Sequence, residues 1–256
     1  MTSAFQATDR TVLRITGGDR TRFLQDLVTN DIARLSRGPV YAALLTPQGK
    51  YLADFFLVED GDAILMECAS DQIAALEHRL QLYMLRADVG IARTDLGVYQ
   101  GLGAPPSGAW ADPRDAALGW RLLSVSAPES DPLVPDDWDA LRIRQGVPLA
   151  GRDLIAGESY ILEMGFDRLN GVDFRKGCYV GQEVTARMRH KTELRKGLVR
   201  VKLDGAADPG TEIVAGSKPA GRLTSVSGRD GLAYLRFDRA VGDLTAGAAK
   251  VTVLEP

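Results

Sequence analysis

The sequence predicts an α+β fold followed by a small C-terminal β-barrel. Two patterns carry that prediction. Strand-like and helix-like stretches alternate over roughly the first hundred residues in the order strand–helix–strand–strand–helix–strand, which suggests a sandwich with helices packed on one face. From about Arg195 the pattern changes to short strands punctuated by Asp-Gly, Pro-Gly and Gly-Ser pairs, the signature of a small barrel. The length, 256 residues, allows one large or two small domains with a sizeable core. A boundary near Glu193 divides the chain into an α+β region, 1–192, and a barrel, 193–256.

The elements follow in order. Thr11–Thr16 alternates as a strand does, and Gly17-Gly18 ends it. Asp19 is then placed to cap a helix whose apolar face is Phe23, Leu24, Leu27 and Val28. Val40–Leu45 and Tyr51–Val58 form a hairpin across the turn Pro47-Gln-Gly-Lys50. Asp62–Cys68 is a third apolar run. Ser70 is an N-cap candidate for a helix to about Leu85 that turns Ile73, Leu76, Leu80 and Leu85 inward. Val89–Arg93 and Gly97–Gly101 are further strands. Ala104–Asp115 reads as a loop and Trp120–Val125 as a strand. Asp136 or Asp137 can cap a helix through Gln145, ended by Gly146 and Pro148. Leu149–Asn170 is irregular with room for a short helix. Leu198–Leu203, Thr211–Ala215, Ala220–Ser227, Leu232–Phe237 and Lys250–Leu254 supply the barrel.

Composition removes several function classes. Hydrophobic residues make up 45% and charged residues 25% of the chain, ordinary for a globular protein. A net charge of -3 gives no global field for nucleic acid. Two cysteines, Cys68 and Cys178, do not make a disulfide scaffold. The first ten residues lack the apolar core of a signal peptide, and no apolar run approaches the roughly 18 to 20 residues of a membrane helix. The expectation is a soluble protein of the reducing cytoplasm, with no membrane partner.

The chemistry concentrates in Lys176-Gly-Cys-Tyr-Val-Gly-Gln-Glu183. Gly177 and Gly181 flank the cysteine side of this stretch with backbone freedom. Tyr179 to Met188 reads as a short helix with Glu183 in its first turns and Arg187 and Arg189 toward its end, as the helix dipole prefers. Cys178 would then stand at or just before a helix N-terminus beside Arg175 and Lys176, a setting that favours the thiolate. The competing reading is a buried, inert thiol. Gln182 and Glu183 either contact a ligand or hold the loop through backbone bonds.

Other candidates are weaker. A thiol hydrolase needs a histidine in reach of its cysteine. Only His78, inside a helix, and His190, in a basic segment, are available. Two cysteines and two histidines lack the paired spacing of structural zinc, so no stably bound metal is expected. One cysteine cannot hold an iron–sulfur cluster, which takes four ligands, but it can supply one ligand to a shared site or act as a redox thiol. Cys68 closes an apolar strand and reads as core. Arg187, Arg189, Lys191, Arg195, Lys196, Arg200 and Lys202 form a basic run, either a solvated face or a site for an anion such as a folate tail or RNA.

Lys-Gly-Cys-Tyr-x-Gly-Gln-Glu resembles the signature of the YgfZ-type proteins, folate-binding relatives of the glycine-cleavage T-protein that support iron–sulfur enzymes. Three further segments come in that family's order: Arg22–Asp31, Thr46–Phe56 and Leu141–Pro148. The resemblance implies a T-protein-like fold built of ferredoxin-like α/β sandwich units. It implies a tetrahydrofolate ligand in a central hollow, with Asn30, Asp54 and Arg142 as folate-binding candidates. It makes Cys178 the working residue, supported by Lys176, Gly177, Tyr179, Gly181, Gln182, Glu183 and Arg187. The implied function is an accessory factor that assembles or repairs iron–sulfur enzymes, including tRNA-methylthiolating ones, with iron–sulfur proteins or cluster carriers as partners and weak RNA contact. Two features depart from the T-protein pattern. Ala53 stands where its first hairpin acid would be, and Arg121 aligns with a pterin-facing glutamate. The rival functions are a tetrahydrofolate-dependent aminomethyl transferase and a non-catalytic RNA- or protein-binding scaffold.

Overall fold

Two five-stranded sheets and a closed six-stranded barrel organise the computed structural model, which describes residues 1–190 and 193–254. The chain opens with β1 (Thr2–Gln6), β2 (Arg10–Thr16) and α1 (Arg20–Leu27), and a 3-10 turn, Ile32–Arg37, follows. Next come β3 (Val40–Leu45), β4 (Tyr51–Asp60), β5 (Ala63–Ala69), α2 (Ile73–Met84) and β6 (Gly90–Arg93). The second sheet is built from β7 (Gly97–Gly103), β8 (Trp110–Ala111), β9 (Trp120–Ser124) and β10 (Asp131–Pro132) together with β1, and α3 (Pro135–Arg144) closes this part. After a long irregular segment, α4 (Gln182–His190) leads to the barrel strands β11 (Lys196–Asp204), β12 (Glu212–Ala215), β13 (Lys218–Ser227), β14 (Asp230–Arg236), β15 (Leu244–Ala246) and β16 (Ala249–Val253). The fold is the α+β arrangement with a terminal barrel that the sequence predicts.

The first sheet, in the order β3-β4-β5-β2-β6, is covered on both faces. Ala42 and Leu44 of β3 pack with α1 and α2 through Leu24, Leu27, Leu76 and Leu80. Their neighbours Tyr41, Ala43 and Leu45 pack on the opposite side against Trp138, Leu162, Phe166 and Tyr179. Strand alternation makes this division, and burial on both faces explains why all six residues of β3 are apolar or aromatic. A bulge shifts the β3–β4 register: Leu44 pairs with Ala53, but Leu45 pairs with Tyr51. The extra residue puts Tyr51 and Asp54, three apart, on the same face. Ala53 turns to the helix side instead.

The helix ends differ from the sequence expectations. Asp19 precedes α1 but makes no cap bond; its carboxylate accepts from the Asp88 backbone N–H at 2.8 Å. The Ser70 hydroxyl pairs with that of Thr11 at 2.7 Å, so α2 starts later, after Gln72. Leu85, expected inward, is exposed just beyond α2. Pro135 opens α3 after Val134, with Asp136 and Asp137 in the first turn, where the dipole favours acids but neither is the cap. Leu149–Asn170 contains turns and no helix. Its backbone is held by contacts such as the Ser159 carbonyl accepting from Tyr51 N–H at 2.9 Å.

Candidate functional site

The signature loop lies against the segment between α1 and β3. Asp173 begins the attachment: its N–H donates to the Thr29 carbonyl at 3.0 Å and its carboxylate pairs with Arg34 at 2.7 Å. Lys176 completes it. The residue is only 8% exposed, and its ammonium donates to the carbonyls of Gln25, Val28 and Asn30 at 2.7, 2.6 and 2.9 Å. Gln25 and Val28 belong to the C-terminal end of α1, whose last carbonyls lack helical donors, so the lysine acts as a side-chain cap reaching from 148 residues away. Burial pushes its pKa down to about 8, against the opposing pull of Asp31, Asp26 and Asp173.

Beyond the thiol, Gly181 has φ +84, and a Cβ there would come within 2.6 Å of the Thr46 carbonyl oxygen. Gly49, at φ +75, likewise approaches Val184. The two glycines let the signature turn and the β3–β4 hairpin turn meet backbone to backbone. Gly177 differs from expectation: its φ is ordinary and a Cβ would meet open space. Tyr179 is buried with its ring 5.2 Å from the Lys176 ammonium. Gln182 donates to the Gly177 carbonyl at 3.4 Å, a loop-holding bond. Glu183 and Arg187 are exposed on α4.

Cys178 sits at the exposed crest of this pinned loop. That location removes the buried, inert reading. The electropositive setting expected for it is also changed. The helix begins at Gln182, four residues later, and the Lys176 ammonium is turned inward to its three carbonyls. Cys68, by contrast, is fully buried, and burial raises its thiol to about 12. His78 and His190 are both exposed. Among the described residues no group of three or more His, Cys, Asp or Glu side chains is arranged to hold a metal ion.

A separate hollow, a cavity of about 290 Å³, is lined by residues of β1, β4, β9 and α3 among others. Phe5, Phe56, Trp138 and Leu149 line it, together with Arg10, Arg114 and Arg121. Glu67 and Asp112 lie beneath the arginines. Glu67 accepts from Arg10 Nε at 2.8 Å and from both Nε and Nη2 of Arg121. Asp112 accepts from Arg114 Nε at 3.0 Å and Nη2 at 2.8 Å, and from Arg121 Nη1 at 3.3 Å. Burial opposes ionisation of both acids, but their arginines prevail and hold both below the usual carboxylate range. The Phe56 ring stacks between cations, with Arg121 at 4.2 Å and Arg114 at 4.8 Å from its centroid. Sequence reasoning missed this cluster except for Arg121. Its signal was Glu67, a lone charge inside the apolar run Ala63–Ala69.

The three folate candidates are committed elsewhere. Asp54 does face inward, but its two oxygens accept from Tyr51 and Tyr41 hydroxyls at 2.6 and 2.9 Å. Burial, then Asp54, raises both tyrosines well above their usual pKa. Asn30 donates to the carbonyls of Tyr41 and Asn170 at 2.8 and 2.6 Å. Arg142 is fully buried, bonding Asp153 at 2.8 Å and Ser225 of the barrel at 2.9 Å. It ties α3 to the barrel and does not line the hollow. The buried polar wall of the hollow offers guanidinium donors whose own carboxylates, Glu67 and Asp112, are already taken, while Asp9, Asp136 and Asp139 line it at less buried positions.

The basic run is dispersed. Arg189 stacks on Phe174 at 3.6 Å, and Lys202 pairs with Asp230 at 2.6 Å. Arg200 and Lys202 alternate with buried Val201 and Leu203, as a wet barrel face requires. Lys191 lies outside the described residues.

Comparisons with known proteins now place the chain. The model of the CAF17 C-terminal β-barrel domain matches residues 195–256. Mouse mitochondrial iron–sulfur cluster assembly factor IBA57 is 32% identical, over 94% of this chain and 80% of its own length. The human counterpart is 33% identical, over 97% and 81%. The crystal structure of glycine cleavage system aminomethyltransferase T from Bartonella henselae superposes with a TM-score of 0.79 over all of this chain and 85% of that one, at 13% identity, a likeness of fold. The relatives are mitochondrial proteins, which overturns the cytoplasmic placement expected from the sequence. With its T-protein-like body, its matched barrel and these relatives along nearly its whole length, the chain belongs to the CAF17/IBA57 family.

Proposed function

We propose that this protein is an iron–sulfur cluster assembly factor whose working group is the Cys178 thiol. One observation carries the reading: the thiol is exposed on a loop whose backbone is fixed on both sides, by Lys176 and by the Gly181–Gly49 approach. A cluster takes about four protein ligands, and a lone thiol supplies one. The cluster is therefore cargo shared with a partner that supplies the others. Cys178 loses its proton to solvent and its sulfur lone pair binds iron, while the rigid loop presents that sulfur to the partner without an ordering cost at the moment of transfer. Iron–sulfur enzymes that modify tRNA are among the clients we propose.

Two rival functions are less well supported. Aminomethyl transfer needs a carboxylate free to handle a proton, and Asp54 is held by two tyrosines. An RNA scaffold needs an uncompensated basic face, and here Arg189 and Lys202 are engaged within the protein.

The test is cluster-enzyme activity in cells lacking the protein, re-supplied with wild type or Cys178→Ala. Rescue by wild type alone is expected. Equal rescue by both proteins, at equal abundance, would remove Cys178 from the mechanism.

A further inference from the structure

The arginine cluster of the hollow holds an unused binding capacity. Arg10 Nε bonds Glu67, and Arg114 Nε and Nη2 bond Asp112. Among the described residues, neither Arg10 Nη1 nor Arg114 Nη1 has a hydrogen-bond partner. The side chains are 7% and 5% exposed, yet neither nitrogen is among the buried unsatisfied atoms. Each therefore reaches open space, and the space both residues line is the cavity. Two charged side chains, each more than nine-tenths buried, thus line a volume shared with Phe5, Phe56, Trp138 and Leu149.

We propose that this hollow binds a small organic monocarboxylate, its acid group held between Arg10 Nη1 and Arg114 Nη1 and its apolar body against those aromatic and aliphatic walls. Guanidinium donors match carboxylate oxygens in charge and geometry. The low-exposure setting strengthens that contact relative to water. About 290 Å³ is at the small end of ligand cavities, which suits a body of one ring. Charge at the mouth limits the ligand further. Asp9 and Asp136 are exposed there, and Asp139 lies between Arg142 and Arg152. These acids oppose a second or third negative charge, so a phosphate ester or nucleotide is disfavoured against a monoanion. Arg10 and Arg114 present donors only, so the ring N–H and amino donors of a neutral pterin gain nothing from them.

The experiment titrates the full chain with sodium benzoate at low, constant ionic strength, followed by calorimetry and NMR shifts. Sodium sulfate and 6-methyltetrahydropterin are the comparison probes. Two variants locate the site. Arg10→Lys keeps a cation opposite Glu67 but removes the free Nη1 donor. Arg152→Glu reverses a half-exposed charge at the mouth and leaves the buried cluster whole. Wild type should bind benzoate saturably, with sulfate and the pterin failing to displace it. Affinity should fall by about tenfold in Arg10→Lys, the loss of one charge-assisted bond, and by about threefold in Arg152→Glu. Absent saturable binding, displacement by the pterin or sulfate, or wild-type affinity in either folded variant would overturn the proposal.

Discussion

Replacing Lys176 with methionine tests whether the signature loop is held as described. Methionine keeps an apolar stem of similar length beside Tyr179 but removes the donor to three carbonyls at 2.6 to 2.9 Å. Hydrogen bonds from a charged donor contribute about 1.5–3 kcal/mol each before the cost of burying the ion, and leaving a buried acceptor unpaired costs about 1–3 kcal/mol. The buried ammonium itself carries an opposing penalty of several kcal/mol. The balance is a loss of roughly 2–4 kcal/mol at pH 7. Urea unfolding followed by circular dichroism measures it, and a loss below about 1 kcal/mol would refute the three-carbonyl account. The pH dependence has a fixed sign. The folded-state pKa is lowered to about 8 from 10.5, so between those values the unfolded chain binds more protons. Stability attributable to Lys176 therefore rises with pH across that window, by on the order of 1 kcal/mol or less per pH unit. Wild type should gain on Lys176→Met as pH goes from 8 to 10. A narrowing difference would mean that the carbonyls, and not burial, govern the lysine's protonation.

Three further outcomes follow from the contacts. Arg142→Met should cost about 3–5 kcal/mol by stranding Asp153, and the double variant Arg142→Met/Asp153→Leu should recover at least about 1 kcal/mol of it in denaturant melts. Gly181→Ala should destabilise by about 1–3 kcal/mol, because the new Cβ meets the Thr46 carbonyl oxygen at 2.6 Å and the residue stays at φ +84; a neutral result would contradict the close backbone approach. Cys178→Ser, at an exposed position, should change stability by less than about 0.5 kcal/mol in the same melts, so that any loss of cluster assembly reports chemistry and not folding.

The sequence made the architecture legible where patterns are local. Alternation and turn pairs located the sheets and the barrel, since both depend on neighbouring residues. It also marked the signature stretch, because a cysteine between glycines and bases is unusual composition. What it misplaced depends on long-range partners. Lys176 looks like a flank of the thiol in one dimension, but its ammonium lies beneath α1, bonded to residues 146 to 151 positions away. Asp19 and Ser70 have the chemistry of caps, yet Asp88 and Thr11 claim them across the fold. Asp54 shares a face with Tyr51 only because of the bulge opposite Leu44 and Leu45, and a one-residue insertion in a strand has no composition signal.

The same partners decide where function can reside. A shared fold transmits a scaffold, and chemistry must be argued from the side chains that remain available on it. Behind the wall of the hollow, the buried carboxylates are already acceptors: Asp54 for tyrosines, Glu67 and Asp112 for arginines. A group so occupied cannot take a proton from a reacting amine without first breaking bonds that hold the core. The buried wall of the hollow is thus left with guanidinium donors, and the acids that line it, Asp9, Asp136 and Asp139, lie at less buried positions. The signature loop has the opposite character. Lys176, Asp173 and Gln182 are engaged in anchoring, and the Cys178 sulfur is left exposed. On the function proposed above, the reactive group then lies at the surface and not in the cavity, and a second protein supplies the other ligands of a cluster. This division predicts that blocking the hollow and blocking Cys178 are separable lesions, the first altering small-acid binding and the second cluster transfer.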